Sequence, residues 1–159
     1  MIRSAHSTAL FLPLALALVL LGSAPVRADI PADAEAIATH LEFHGYTRGD
    51  EEGWLTFSHE ERLSFTMQSY QGGILLQSWF GGTEYAAQNP NEFRLVVNSM
   101  NTSATVMRLY VDEDGDLAME AWYPGTYNKE TFTAFLDAWI ADGETLLGSH
   151  YEALSSLVQ

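Results

Sequence analysis

The apolar positions of the chain fall into two periods. After Asn128, a natural cap, Phe132, Phe135, Leu136, Trp139 and Ile140 recur at i, i+3, i+4, i+7 and i+8, the stripe of an amphipathic helix. A first helix is expected over residues 29–45, with Ala34, Ile37, Ala38 and Leu41 as its stripe. Pro31 suits its first turn, Asp33 and Glu35 favour the positive helix end, and Gly45 stops it. Another helix starts at Asn89-Pro90 and carries Phe93, Val96, Val97 and Met100 at helical spacing. Asn101 is expected to end it by taking the left-handed conformation, and Asn98 to donate its amide to the backbone that follows.

The second period is two. Residues 63–70 alternate, with Leu63, Phe65 and Met67 on one face and Ser64, Thr66 and Gln68 on the other. Residues 53–58 form a shorter strand before them. Gln71-Gly72-Gly73 turns the chain into a strand over 74–80, which Gly81-Gly82 closes. Residues 105–111 and 117–123 are two more. The predicted order is α-β-β-β-α-β-β-α, an α+β domain with helices packed on one face of an antiparallel sheet.

Between the last two strands runs "VDEDGDLAMEAW", whose carboxylates raise the question of a cation loop. Such a loop needs acids at positions 1, 3 and 5, glycine at 6 and glutamate at 12. Asp112, Asp114 and Asp116 supply the acids, but Gly115 stands at position 4 and Tyr123 at 12. Asp114-Gly115 is instead the dipeptide of a two-residue hairpin turn. A turn is therefore expected here.

Composition adds a compartment. Arg3 precedes an apolar run, "LFLPLALALVLL", and the small-residue segment "GSAPVRA" ends at Ala28, the three parts of a cleavable secretory leader. Twelve apolar residues fall short of the ~20 that span a bilayer. The expectation is an exported protein, periplasmic or secreted, with a leader over 1–28 and one domain over 29–159. Removing Arg3 and Arg27 but no acidic residue takes the net charge from −14 to −16. That balance opposes nucleic acid and anionic lipid, and admits a cationic partner. With no cysteine anywhere, no disulfide staples the fold, and 47% hydrophobic residues leave stability to burial.

Catalytic signatures are sparse. There is no G-x-S-x-G elbow, no Walker loop and no G-x-G-x-x-G, and a cysteine nucleophile is impossible. His40 and His44 stand at i, i+4 in "HLEFH" and share a helix face, but Glu42 is out of place for a metalloprotease helix. Glu35 or His59 would have to complete a metal site; partly exposed helical histidines are the simpler reading. No cofactor is implied. Asn101-Thr102-Ser103 matches a glycosylation sequon but reads as a helix end.

The aromatics are more informative. If Leu63, Phe65, Met67, Met107, Leu109, Leu117 and Met119 face the helices, then Trp54, Tyr70, Trp79, Tyr110 and Trp122 share the other face with Thr66, Gln68, Gln77 and Arg108. Two accounts fit. Either a helix, a loop or cross-strand aromatic pairing covers this face, or it is a contact surface.

The segments "LVVNSMNTSATVMRLYVDEDGDLAMEAWYP" and "TFTAFLDAWIADGETL", with "HGYT" after the first helix, resemble the YbjN family, whose members are labelled sensory transduction regulators. The resemblance rests on the asparagine pair Asn98 and Asn101, a strand, a D-x-D-G-D-like turn, a second strand and an aromatic helix. It spans residues 34–147 and is most specific over 95–120. It implies the fold of type III secretion chaperones, small acidic dimers that bind extended segments of other proteins. That family offers no catalytic residues to carry over. Many of its members are cytoplasmic, and the export leader departs from that. The resulting expectation is a non-enzymatic protein that binds a protein or peptide, or a second copy of itself, through Trp79, Trp122, Tyr70 and Tyr110. The rival expectations are a metal-dependent enzyme built on His40 and His44, and an acidic inhibitor of cationic envelope proteins.

Overall fold

The computed structural model describes residues 31–51 and 54–159. The expected leader, Asp29 and Gly53 lie outside the described residues, as does the side chain of Trp54; the first helix begins at Ala34 behind Asp33, so Pro31 precedes it rather than standing in its first turn. Helix α1 (Ala34–Phe43) is followed by strands β1 (Thr47–Glu51), β2 (Trp54–Ser58), β3 (Phe65–Tyr70) and β4 (Gly73–Phe80). Helices α2 (Glu84–Gln88) and α3 (Pro90–Asn101) come next, then β5 (Arg108–Val111), β6 (Leu117–Tyr123), α4 (Lys129–Ser149) and α5 (Tyr151–Leu154). The strands form one antiparallel sheet in the order β1-β2-β3-β4-β6-β5.

One face of that sheet makes the core. Leu55, Phe57, Phe65, Met67, Ile74, Leu76, Leu109, Leu117, Met119 and Tyr123 are buried there. They share a cluster with Ile37 and Leu41 of α1, Phe93, Val97 and Met100 of α3, and Phe132, Leu136 and Trp139 of α4. The helical stripes read from the sequence therefore all point to one side, and the expected α+β architecture stands. Among the described residues no helix is long and apolar enough to cross a membrane.

Several local expectations need correction. β1, "TRGDE", has no apolar pattern; it is a strand because Thr47 to Glu51 pair with Ser58 to Trp54. α2 is a single capped turn, with Thr83 Oγ1 accepting from Ala86 N at 3.1 Å. β5 begins at Arg108 rather than 105, because the buried Asp142 of α4 takes the preceding amides. Its carboxylate accepts from Thr105 N, Val106 N and Met107 N at 2.8–3.0 Å.

Asn101 does not adopt a left-handed backbone; among the described residues Gln71 alone of the non-glycines has positive φ. Its side chain ends the helix instead, donating to Leu109 O at 2.8 Å and accepting from Leu109 N at 3.0 Å. Asn101 thus performs the bridging expected of Asn98, which is exposed one turn earlier.

The acidic turn is also longer than two residues. Asp112 N donates to Asp116 O at 3.0 Å and Gly115 N to Asp112 O at 3.2 Å, with only Gly115 at positive φ, +89°. That is a three-residue hairpin loop with glycine at its left-handed position. By contrast the β3–β4 turn has two residues, Gln71 (φ 47°) and Gly72 (φ 73°).

Candidate functional site: the outer face of the sheet

The face opposite the helices is organised in rows by the strand register. A polar row runs Thr56–Thr66–Gln77–Glu120–Arg108 across β2, β3, β4, β6 and β5. To one side lies Trp79–Ala118–Tyr110 and to the other Gln68–Leu75–Trp122, with Tyr70 beyond. Period-two alternation places every one of these side chains away from the core.

Trp79, Tyr70 and Trp122 are 41%, 46% and 47% exposed, and Tyr110 is half-buried. The expected site residues thus share one face, two on each side of the polar row. Among the described residues no helix covers them, since the buried stripes of α1, α3 and α4 join the core on the other side. No ring contact joins any two of the four, so cross-strand stacking does not account for them either.

The rings are held in place. The Trp122 indole N–H donates to Tyr70 O at 3.0 Å and lies over Gly73, where a Cβ would come within 2.5 Å of Nε1. Glycine at 73 is thus required by close approach. Glu120 is the most connected residue of the polar row. It pairs with Arg108 and accepts from Tyr110 OH at 3.0 Å, and the guanidinium sits 5.4 Å from the Tyr110 ring centre. Burial, then the hydrogen bond to Glu120, pushes the Tyr110 hydroxyl above its ordinary pKa. Gln68 donates to Gln77 at 2.7 Å, and Leu75 and Ala118 are buried beneath the aromatics.

Beside Trp79 the face opens into a cleft of about 860 Å³. Thr56, Thr66, Gln77 and Trp79 line its sheet side, residues 60–64 one wall, and Gly143, Glu144 and Leu147 of α4 its far end.

The rival histidine site does not assemble. His40 is buried rather than partly exposed, between α1 and α4. Thr133 Oγ1 donates to Lys129 O, so it accepts from His40 Nε2 at 3.2 Å, which leaves Nδ1 to accept from Tyr127 OH at 2.9 Å. Both ring nitrogens are therefore engaged. Desolvation, then the nearby His44, lowers the His40 pKa. Of the completing ligands, Glu35 pairs with Arg48 at 2.8 Å and His59 Nδ1 accepts from Glu61 N at 3.0 Å. Among the described residues no group of three or more His, Asp or Glu side chains is arranged to hold a metal ion. The acidic loop turns its carboxylates onto backbone: Asp112 Oδ1 accepts from Asp114 N and Asp116 N, and Asp116 Oδ1 from Gly82 N.

Three features escaped the sequence reading. The Glu120 centre needs the register, which the sequence leaves open. The notch beside Trp79 depends on where β3 starts. Asp142 did leave a signal, since it falls three residues after Trp139 on an otherwise apolar stripe.

Comparison with solved structures gives the fold a relative. The crystal structure of YbjN from E. coli superposes with a TM-score of 0.62, over 79% of this chain and 94% of that one, at 11% identity. The fold is that of YbjN. A chain of the heterodimeric ExoU–SpcU complex of the Pseudomonas aeruginosa type III secretion system also aligns, over 70% of this chain and 95% of that one, at 21% identity and a TM-score of 0.47. No protein-family model matches the sequence. No curated protein sequence matches it either. The likeness to YbjN concerns architecture: it carries no residue role to the outer face.

Proposed function

We propose that the protein is an exported, non-enzymatic binding module, one domain over residues 29–159, that captures a protein or peptide on the outer face of its sheet. One observation carries this reading: Tyr70, Trp79 and Trp122 stand 41–47% exposed on a face that no described helix covers. Tryptophan and tyrosine dominate contact energies because they bury much area for few rotatable bonds. Here the sheet, the Trp122–Tyr70 hydrogen bond and the Glu120 cluster fix the rings beforehand, which lowers the ordering cost of binding. The leader pattern ending at Ala28 supports export to the periplasm or beyond.

The test is the double variant Trp79→Ala/Trp122→Ala. It is expected to fold as before and to lose partner capture or self-association at least ~30-fold, the effect of a ~2 kcal/mol hot spot. Unchanged sedimentation and pull-down profiles would overturn the reading.

A further inference from the structure

Strand β4 projects past its neighbour on one side. The two-residue turn makes Tyr70 and Gly73 a hydrogen-bonded pair, so Leu75, Gln77, Trp79 and Gly81 alternate with their N–H and C=O groups toward the same side. Leu75 and Gln77 oppose Gln68 and Thr66 of β3. Gly81 O accepts from Gln159 N at 2.9 Å, part of a short antiparallel bridge between Gly82 and Val158. Trp79 falls between them. Continuing the β3 register would set Ser64 opposite Trp79, but no backbone hydrogen bond joins the two among the described residues.

Ser64 is drawn away by the β2–β3 connection. Ser64 Oγ accepts from His59 N at 3.2 Å, His59 Nδ1 accepts from Glu61 N at 3.0 Å, and Leu63 turns onto α4 over Gly143. These bonds are why the alternation beginning at Leu63 becomes a strand only at Phe65. They leave a slot about three residues long in the sheet. It opens into the 860 Å³ cleft. The cleft wall carries Glu60, Glu61 and Glu144, all exposed and outside any ion pair among the described residues. Its two arginines are engaged, Arg48 with Glu35 and Arg62 with His44 O.

We infer that this slot takes a short extended segment of a partner protein carrying lysine or arginine. Its backbone pairs with the N–H and C=O of Trp79, and its cations meet Glu60, Glu61 and Glu144. An unpaired strand backbone selects an extended chain. The acidic rim, on a chain of net charge −14, selects a cationic one. This rests on the functional reading above and adds a second contact next to the aromatic face.

The test follows the Trp79 amide of the purified protein by NMR hydrogen exchange, with a ten-residue peptide of alternating lysine and valine as probe. In the free protein the Trp79 amide should exchange about 100-fold faster than that of Gln77, and saturating peptide should slow it at least ~10-fold. A glutamate–valine peptide, and the lysine–valine peptide N-methylated at alternate residues, should give no protection. Replacing Glu60, Glu61 and Glu144 together by glutamine should weaken binding about tenfold and flatten its salt dependence.

Equal protection of Trp79 and Gln77 in the free protein would overturn the inference, as would no binding of the cationic peptide. So would protection that grows with protein concentration alone, which would make a second copy the occupant. Peptide shifts confined to Tyr70 and Trp122 would also remove the slot while leaving the aromatic face as the site. The Trp79→Ala/Trp122→Ala capture assay tests that face separately.

Discussion

At the scale of single residues, buried polar side chains do more of the positioning than the sequence suggests. Asp142 replaces a ladder partner for three successive amides. Asp142→Ala should lower stability by roughly 3 kcal/mol, since one buried and two part-buried donors lose a carboxylate acceptor. The check is urea unfolding combined with faster hydrogen exchange at Thr105, Val106 and Met107. His40 makes stability depend on pH. Its folded pKa lies below the ordinary 6.5, chiefly through desolvation, so the unfolded chain binds more protons in that range. Its contribution is fully present above pH 6.5 and is lost as pH falls from there toward the lowered folded value. Urea midpoints should therefore drop between pH 7.5 and pH 5 by more in the native protein than in His40→Gln. An equal drop would remove His40 from the account. Asn101 shows what a residue type reveals: asparagine marked the helix end, but its side-chain bonds to Leu109 could not be read without the tertiary fold.

At the scale of elements, legibility followed amphipathic contrast. α1, α3 and α4 were plain because each alternates a buried stripe with a wet face. β1 was invisible because an edge strand with no apolar residue is specified by its partner β2 alone. The hairpin loop of β5 and β6 was legible in place but not in length, since an aspartate–glycine pair serves two- and three-residue loops alike. Gly115, at φ +89°, is its one demanding position. Gly115→Ala should cost about 1–2 kcal/mol of folding stability, whereas nothing lies within 4 Å to oppose the methyl itself. Thermal unfolding checks this, and Gly115→Asn should lose less, because asparagine tolerates the left-handed region.

At the scale of the whole molecule, the described helices dress the sheet on one side only. The side of the sheet was readable from alternation, so Tyr70, Trp79, Tyr110 and Trp122 were found together. Their exposure was not readable, because only packing decides whether a helix covers a face. The fold shared with YbjN assigns the outer face no role. The central claim is that this face meets a protein partner. It is tested most directly by photo-crosslinking in intact cells, with the crosslinking amino acid at position 122 and, as control, at the exposed Glu130 of α4. The account predicts discrete adducts from position 122 that disappear when Trp79→Ala is added, and none from position 130. Equal adducts from both positions, or none from 122, would contradict it.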